Sequence, residues 1–359
     1  MPFWKRIGFA FVFIVPALMP LAAWLGARLQ QPALMAWFPL FFLFVLLPLA
    51  DHAMGHDPVN PDHADTERLA HDRWFRLLTL LAVPVQFATL AWSMQHALSA
   101  GFSLPGLLGW LLSQGVVGGV LAINVAHELI HKDTTLERGA GGMLLTSVGY
   151  HGFKVEHLRG HHVHVSTPLD ASSARRGQSL WHFLPRALLR NTINAWRLEA
   201  GRLHRLGKRW WQGNELLAWS GAWVALALGS WAWLGVDGLL FFVAQGLVAA
   251  CSLEIINYIE HYGLERRRLP DGRYERTTHV HSWNADYALT NLLLFHLQRH
   301  SDHHAHAARR YQLLRHHPES PQLPGGYASM FVLALFPPLW FRVIDPRLHA
   351  WRAEYVAND

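Results

Sequence analysis

The chain has 359 residues, 51% of them hydrophobic, and carries 31 Lys and Arg against 25 Asp and Glu for a net charge of +6. That apolar fraction argues against an average soluble enzyme, and 17 Trp with 19 Phe suit contact with lipid, where aromatic rings gather at the interfaces. The basic residues lie between apolar runs rather than on a soluble domain with a reading motif, which argues against a nucleic-acid partner; the single cysteine, Cys251, excludes an internal disulfide, a four-cysteine metal site and an iron–sulfur cluster.

In chain order, apolar runs occupy residues 7–25 and 33–50, then 77–98 and 104–126, then 216–234 and 239–259. Each is near the ~20 residues that a ~30 Å hydrocarbon core requires. The pattern predicts an all-α integral membrane protein with six transmembrane helices in three hairpins and a helical cap. Residues 330–340 are apolar but short and contain Pro337-Pro338, so an interfacial, re-entrant or core-packed segment is expected there. Six spans put both termini on one side. Every Lys and Arg except Arg28 then falls on that side, which the positive-inside rule makes the cytoplasm. The expected location is a bacterial-type cytoplasmic membrane. The loops form two cytoplasmic blocks, 132–213 and 261–359, of one domain spanning 1–359. Neither a P-loop nor a dinucleotide-binding glycine pattern is present, so no nucleotide or flavin is expected on this chain.

Four histidine clusters carry the chemistry. His127-Glu128-Leu129-Ile130-His131 closes the fourth span, its two imidazoles four residues apart on one helical face. It also spells the zinc-protease pattern, against which the membrane position and the additional histidines argue. Glu156-His157-Leu158-Arg159-Gly160-His161-His162 follows; on an α-helix His157 and His161 face together and His162 lies ~100° further round, a fan better suited to two metals than one. His261 stands where the sixth span ends. In Arg299-His300-Ser301-Asp302-His303-His304, helical spacing puts His300, His303 and His304 on one face. All nine histidines converge on one membrane face, which no single cluster would establish. Imidazole suits iron, copper or zinc. Glu128, Glu156, Glu260, Asp170 and Asp302 are candidates to hydrogen-bond the ligand imidazoles, and Asn124 and Asn257 share helical faces with His127 and His261. Of the other histidines, His52, His56, His63, His71, His316, His317 and His349 read as solvated or headgroup-facing; His151, His164, His279, His281, His296 and His306 lie near the clusters but off their spacings.

These motifs resemble the integral-membrane alkane 1-monooxygenases, within the wider group of membrane fatty-acid desaturases and hydroxylases. The resemblance is carried by Asn257-Tyr258-Ile259-Glu260-His261-Tyr262-Gly263-Leu264, by His281-Ser282-Trp283-Asn284, by Leu297 through His304, by Arg309-Arg310-Tyr311-Gln312, and by Pro321-Gln322-Leu323-Pro324. It implies that His127, His131, His157, His161, His162, His261, His300, His303 and His304 hold two irons in a non-haem centre. It implies terminal hydroxylation of n-alkanes with dioxygen, and electrons from a rubredoxin served by a rubredoxin reductase. Ile130, where the family often has glycine, and Leu158, where it often has a polar or β-branched residue, depart from the pattern. Two other activities compete: a hydroxylase or desaturase of an alkyl-aromatic or fatty acyl chain, and a metal transporter. A transporter would place ionisable groups at mid-membrane, whereas these clusters sit at helix ends.

Overall fold

The structure, a computed structural model, describes the backbone of residues 1–357 and side chains as far as Glu354; the last two residues of the 261–359 block lie outside it. Helix dominates, and the only strand-like pairings among the described residues are isolated bridges such as Asn284 to Gln322. Among the described residues, four helices are long and apolar enough to cross a membrane: Phe3–Leu29, Arg73–Ser99, Leu104–Ile130 and Glu215–His261. The run at 33–50 begins in the short helix Pro32–Met35 and continues, after a turn, in a shorter apolar helix, Phe38–Met54. Gln30, in the left-handed conformation, ends the first helix, and Pro32 opens the turn that leads into this second one.

The Glu215–His261 stretch contains both of the last two apolar runs. Its helical path breaks at Gly235, where φ is 69°, a value that glycine adopts without steric penalty. The rings of Trp223 and Phe242 are 6.4 Å apart, although a straight helix would separate them by ~28 Å. The two halves therefore lie side by side. Pro337 does not terminate structure but opens the helix Pro337–Ala357, at a position where its missing N–H is harmless. Met330, Ala334 and Trp340 are buried with Tyr258 and Tyr262, so residues 330–340 pack on the core.

Small residues set the approach of the two helices that end at the histidines. A Cβ on Gly115 would come within 2.4 Å of Val248 and one on Gly119 within 3.3 Å of Ser252, both on the facing helix, while one on Gly118 would come within 3.2 Å of Val148, in the chain between the two helices. With hydrogens at these positions, Leu104–Ile130 and the second half of Glu215–His261 pack closely, and their ends bring His127 and His261 toward one polar centre. The cytoplasm-facing elements of the sequence reading are also helical. Thr135–Ser147 is capped by Thr134, whose Oγ1 accepts from Glu137 N at 3.2 Å and donates to Glu137 Oε2 at 2.6 Å. Leu180–Arg205 is capped by Ser179, and Glu215–His261 by Asn214.

Candidate metal centre

All nine histidines of the four clusters meet in the fold, in two adjoining groups. His127, His131, His157, His162 and His303 form one; His161, His261, His300 and His304 form the other. Within each, the ligand atoms lie within 4.8 Å of one another. The groups touch: the His162 and His304 rings are 4.5 Å apart, and those of His161 and His162 6.0 Å.

The partition departs from the expected helical faces. His157 and His161, placed together by α-helical spacing, belong to different groups, and His157 shares its group with His162. The cause is local: His157–His161 is a π-helical turn, whose wider winding brings residues five apart into register and leaves His161 aimed elsewhere. His303 likewise joins the five-histidine group while His300 and His304, one α-turn apart, stay in the other. Two π-turns flank the centre, the second being Gly119–Asn124 just before His127. Just ahead of the His300–Ala305 helix, Phe295 and His296 take φ of 54° and 56°, conformations that non-glycine residues hold only when their surroundings enforce them. Phe9 supplies part of that enforcement, packing 4.9 Å from the His296 ring and 5.1 Å from Tyr311.

The donor set fits metal. His131, His157, His162 and His303 form a chain of Nε2 contacts at 3.0, 3.0 and 3.1 Å, and His300 and His304 Nε2 stand 2.9 Å apart. A neutral imidazole has one N–H and one lone pair, so so many converging nitrogens cannot satisfy one another; a cation accepts all their lone pairs. The Nε2 atoms of His127, His161 and His261 are buried with no hydrogen-bond partner. Burial, reinforced by neighbouring imidazoles, pushes His157, His162, His300, His303 and His304 well below the usual histidine range and keeps them neutral, the ligating form. His161 differs. Burial pulls it down, but the Asp170 carboxylate outweighs that and raises it.

The surrounding polar residues divide. Asp170 Oδ2 accepts from His161 Nδ1 at 3.0 Å and from Ser173 Oγ–H at 2.6 Å, while its Oδ1 accepts from Ser172 N–H at 3.1 Å. Burial raises its pKa, but His161 and these donors bring it down to about 2. His161 thus has one nitrogen fixed by a carboxylate and the other free for a metal. Glu260 Oε2 lies 3.2 Å from His300 Nε2. Glu156 is buried against Gly160, where a Cβ would meet its Oε1 at 2.6 Å; burial, then the nearby Asp170, pushes its pKa up to about 8. Two expected partners serve elsewhere. Glu128 pairs with Lys132 at 2.9 Å, one turn away on its own chain segment, and Asp302 binds Arg309, His317 and the Arg315 N–H. Both have a cation within reach, which holds a carboxylate more strongly than a neutral imidazole does. Asn257 donates to Glu254 at 3.2 Å, and neither side-chain polar atom of Asn124 has a protein partner.

Two residues near the centre are additions to the sequence reading. Ser282 Oγ stands 3.3 Å from His261 Nδ1, leaving Nε2 for metal. Glu254, fully buried, accepts from Tyr150 O–H at 2.6 Å, Asn191 Nδ2 at 3.0 Å and Asn257 Nδ2 at 3.2 Å. Asn191 also donates to Ser172 Oγ at 2.9 Å, beside Asp170. The signal for Glu254 was present: it is a lone acid within the 239–259 apolar run.

An apolar pocket of about 670 Å³, part of that space open to the outside, leads away from the histidines. Leu43, Phe44, Val116, Gly119, Leu253, Ile256 and Phe331 are among its walls, with Asn124 and Leu297 at the end shared with a small cleft that contains His127 and His303. Val116 stands ~16 Å along its helix from His127. The Phe44 and Phe331 rings close one wall, 4.7 Å apart.

Comparison with known proteins agrees in family. The fatty acid desaturase family pattern matches residues 102–334. Alkane 1-monooxygenase 1 of Pseudomonas aeruginosa is 52% identical over 97% of this chain and 92% of its own length, and alkane 1-monooxygenase 2 of Alcanivorax borkumensis is 50% identical over the same shares. The xylene/toluene monooxygenase hydroxylase component of Pseudomonas putida is 32% identical over 69% of this chain and 66% of its own length.

Proposed function

This chain belongs to the alkane 1-monooxygenases, a branch of the fatty acid desaturase family, and from that premise we propose that it hydroxylates the terminal carbon of n-alkanes to 1-alkanols. The balance is RH + O₂ + 2 e⁻ + 2 H⁺ → ROH + H₂O. The observation that carries the reading is one apolar cavity ending, at Asn124 and Leu297, against a cleft that contains His127 and His303. His127, His131, His157, His162 and His303 would hold one iron and His161, His261, His300 and His304 a second. Bound there, iron supplies the dioxygen activation that breaking an unactivated C–H bond needs and that amino acids cannot provide.

The residues of the chain do the rest. An alkane offers neither charge nor hydrogen-bonding group, so the cavity wall captures it by burial, at ~0.8 kcal/mol per CH₂. Leu297 and Asn124 aim the chain end at the cleft. Asp170 and Ser282 fix the orientation and tautomer of His161 and His261. Close packing around Gly115 and Gly118 excludes water from the apolar side. Six spans in three hairpins, with termini and centre on the cytoplasmic side of a bacterial inner membrane, complete the arrangement as a single domain. With Cys251 alone, the chain has no rubredoxin-type site of its own. Electrons come from a separate rubredoxin and its reductase at the arginine-rich cytoplasmic face.

The 32% identical xylene/toluene enzyme favours one second reading, hydroxylation of an alkyl group on an aromatic ring. Gas chromatography of cells that co-express this chain with a rubredoxin and its reductase separates the two. Terminal alcohols from n-alkanes, absent with His303→Ala, support the alkane reading. Benzylic alcohols from alkyl-aromatics with no alkane product would replace it.

A further inference from the structure

Away from the nine-histidine centre, His279, His317 and Glu319 each offer a ligand atom within 4.8 Å of the others. Glu319 Oε1 lies 3.2 Å from His279 Nε2 and 3.2 Å from His317 Nδ1. The two imidazoles stack nearly parallel, 7° between planes with centroids 4.8 Å apart. On its far side His317 Nε2 meets the Asp302 carboxylate at 3.1 Å, and the Asp302 side chain has no exposure at all.

The charge pattern around His317 needs a cation. A neutral imidazole carries one N–H and one lone pair. With a carboxylate oxygen beside each nitrogen, one lone pair would face an anion unless something positive lies between. A second proton on His317 would meet that need without using His279, whereas His279 Nε2 converges on the same Glu319 oxygen. In the tautomer that donates from Nε2 to Asp302, which is buried and fixed by Arg309, the His317 Nδ1 lone pair faces Glu319. A carboxylate that orients a histidine in this manner is the usual support for a metal ligand.

We propose that His279, His317 and Glu319 bind a divalent transition metal of the zinc class, independently of the nine-histidine centre. Two imidazole nitrogens and one carboxylate oxygen are a common zinc donor set, and with Glu319 exposed and both imidazoles partly so a fourth position is left for water. The ion clamps two segments already in contact, since Ser320 Oγ donates to the His279 carbonyl at 2.6 Å. One of these segments leads to Ser282 beside His261. The other holds Asp302 in the helix that carries His300, His303 and His304. The bound metal is therefore a structural staple on the face of the protein next to the redox centre.

The test uses the iron-replete, detergent-solubilised full chain, incubated with zinc chloride, desalted, and assayed for zinc and iron by mass spectrometry. The expected result is about one zinc retained per chain with iron content unchanged. His279→Ala and Glu319→Gln, one from each segment, should each weaken zinc binding at least tenfold while keeping the wild-type iron content. No retained zinc in the wild type would overturn the proposal. So would zinc that rises only as iron falls, which marks exchange at the nine-histidine centre, or equal zinc in wild type and both variants.

Discussion

Asp170 illustrates how one residue can govern a candidate metal ligand, His161, while its own carboxylate stays outside both histidine groups. Replacing it with alanine removes the acceptor from His161 Nδ1 and frees the imidazole to rotate or change tautomer. Asp170→Ala should lower iron affinity or activity by ~10–100-fold; iron content per purified chain and alcohol yield measure the two separately, and Asp170→Asn, which keeps an oxygen, should fall less. Glu254 is a second test. Glu254→Ala strands the Tyr150 hydroxyl and the Asn257 amide in the interior and leaves Asn191 with Ser172 as its one acceptor, a loss of about 1–3 kcal/mol for an unsatisfied buried group, readable as a lower thermal midpoint. The histidines themselves were legible because residue type and spacing announce them. Their carboxylate partners were only half legible. Spacing along the chain put Glu128 and Asp302 next to ligands, but Lys132, Arg309 and His317 reach them first, and those contacts depend on tertiary placement. Asp170 reaches His161 because the turn after His164 doubles back, again a tertiary fact.

At the level of elements, the expected apolar runs correspond to helices, while their local winding decides which histidine goes where. An ideal α-helix pairs residues four apart, and neither that rule nor composition foretells the π-turn at His157–His161 that sends His157 and His161 to different groups. The turn at Gly235 was legible as a gap between two apolar runs, and its chain reversal shows in the Trp223–Phe242 contact. Helix approach yields the next prediction. Gly115→Val drives a branched side chain into Val248, where even a Cβ would sit at 2.4 Å. Overpacking of this kind costs about 1–3 kcal/mol, and by spreading the helices that deliver His127 and His261 it should also reduce bound iron. Along the cavity, Val116 lies far from the histidines on the same helix. Val116→Phe should shift product distribution toward shorter alkanes while leaving iron content at the wild-type level, as gas chromatography with a graded alkane series would show.

For the molecule as a whole, Glu199 ties the cap together. Its carboxylate, buried in Leu180–Arg205, accepts from Arg202, from Arg159 in the π-turn, and from the Glu215 N–H at the start of the last apolar stretch. The Arg202 hydrogen bonds first, then the Glu215 N–H and Arg159, hold its pKa at about 2 against burial, below its ordinary 4.5. A depressed carboxyl pKa stabilises the fold above the unfolded value and ceases to do so as pH falls through the folded one. The thermal midpoint of wild type should therefore exceed that of Glu199→Gln at pH 7, by an amount corresponding to about 1–3 kcal/mol, and the difference should shrink between pH 4.5 and pH 2. The apolar cavity has a further consequence, for kinetics. A substrate captured from lipid is present at the concentration the bilayer sets, and each added CH₂ favours the bilayer over water by ~0.8 kcal/mol, about fourfold. Michaelis constants expressed against aqueous alkane would then fall with chain length by partitioning alone, even for an indifferent cavity. Chain-length selectivity belongs to this protein only to the extent that it survives when substrate is counted as mole fraction in the membrane.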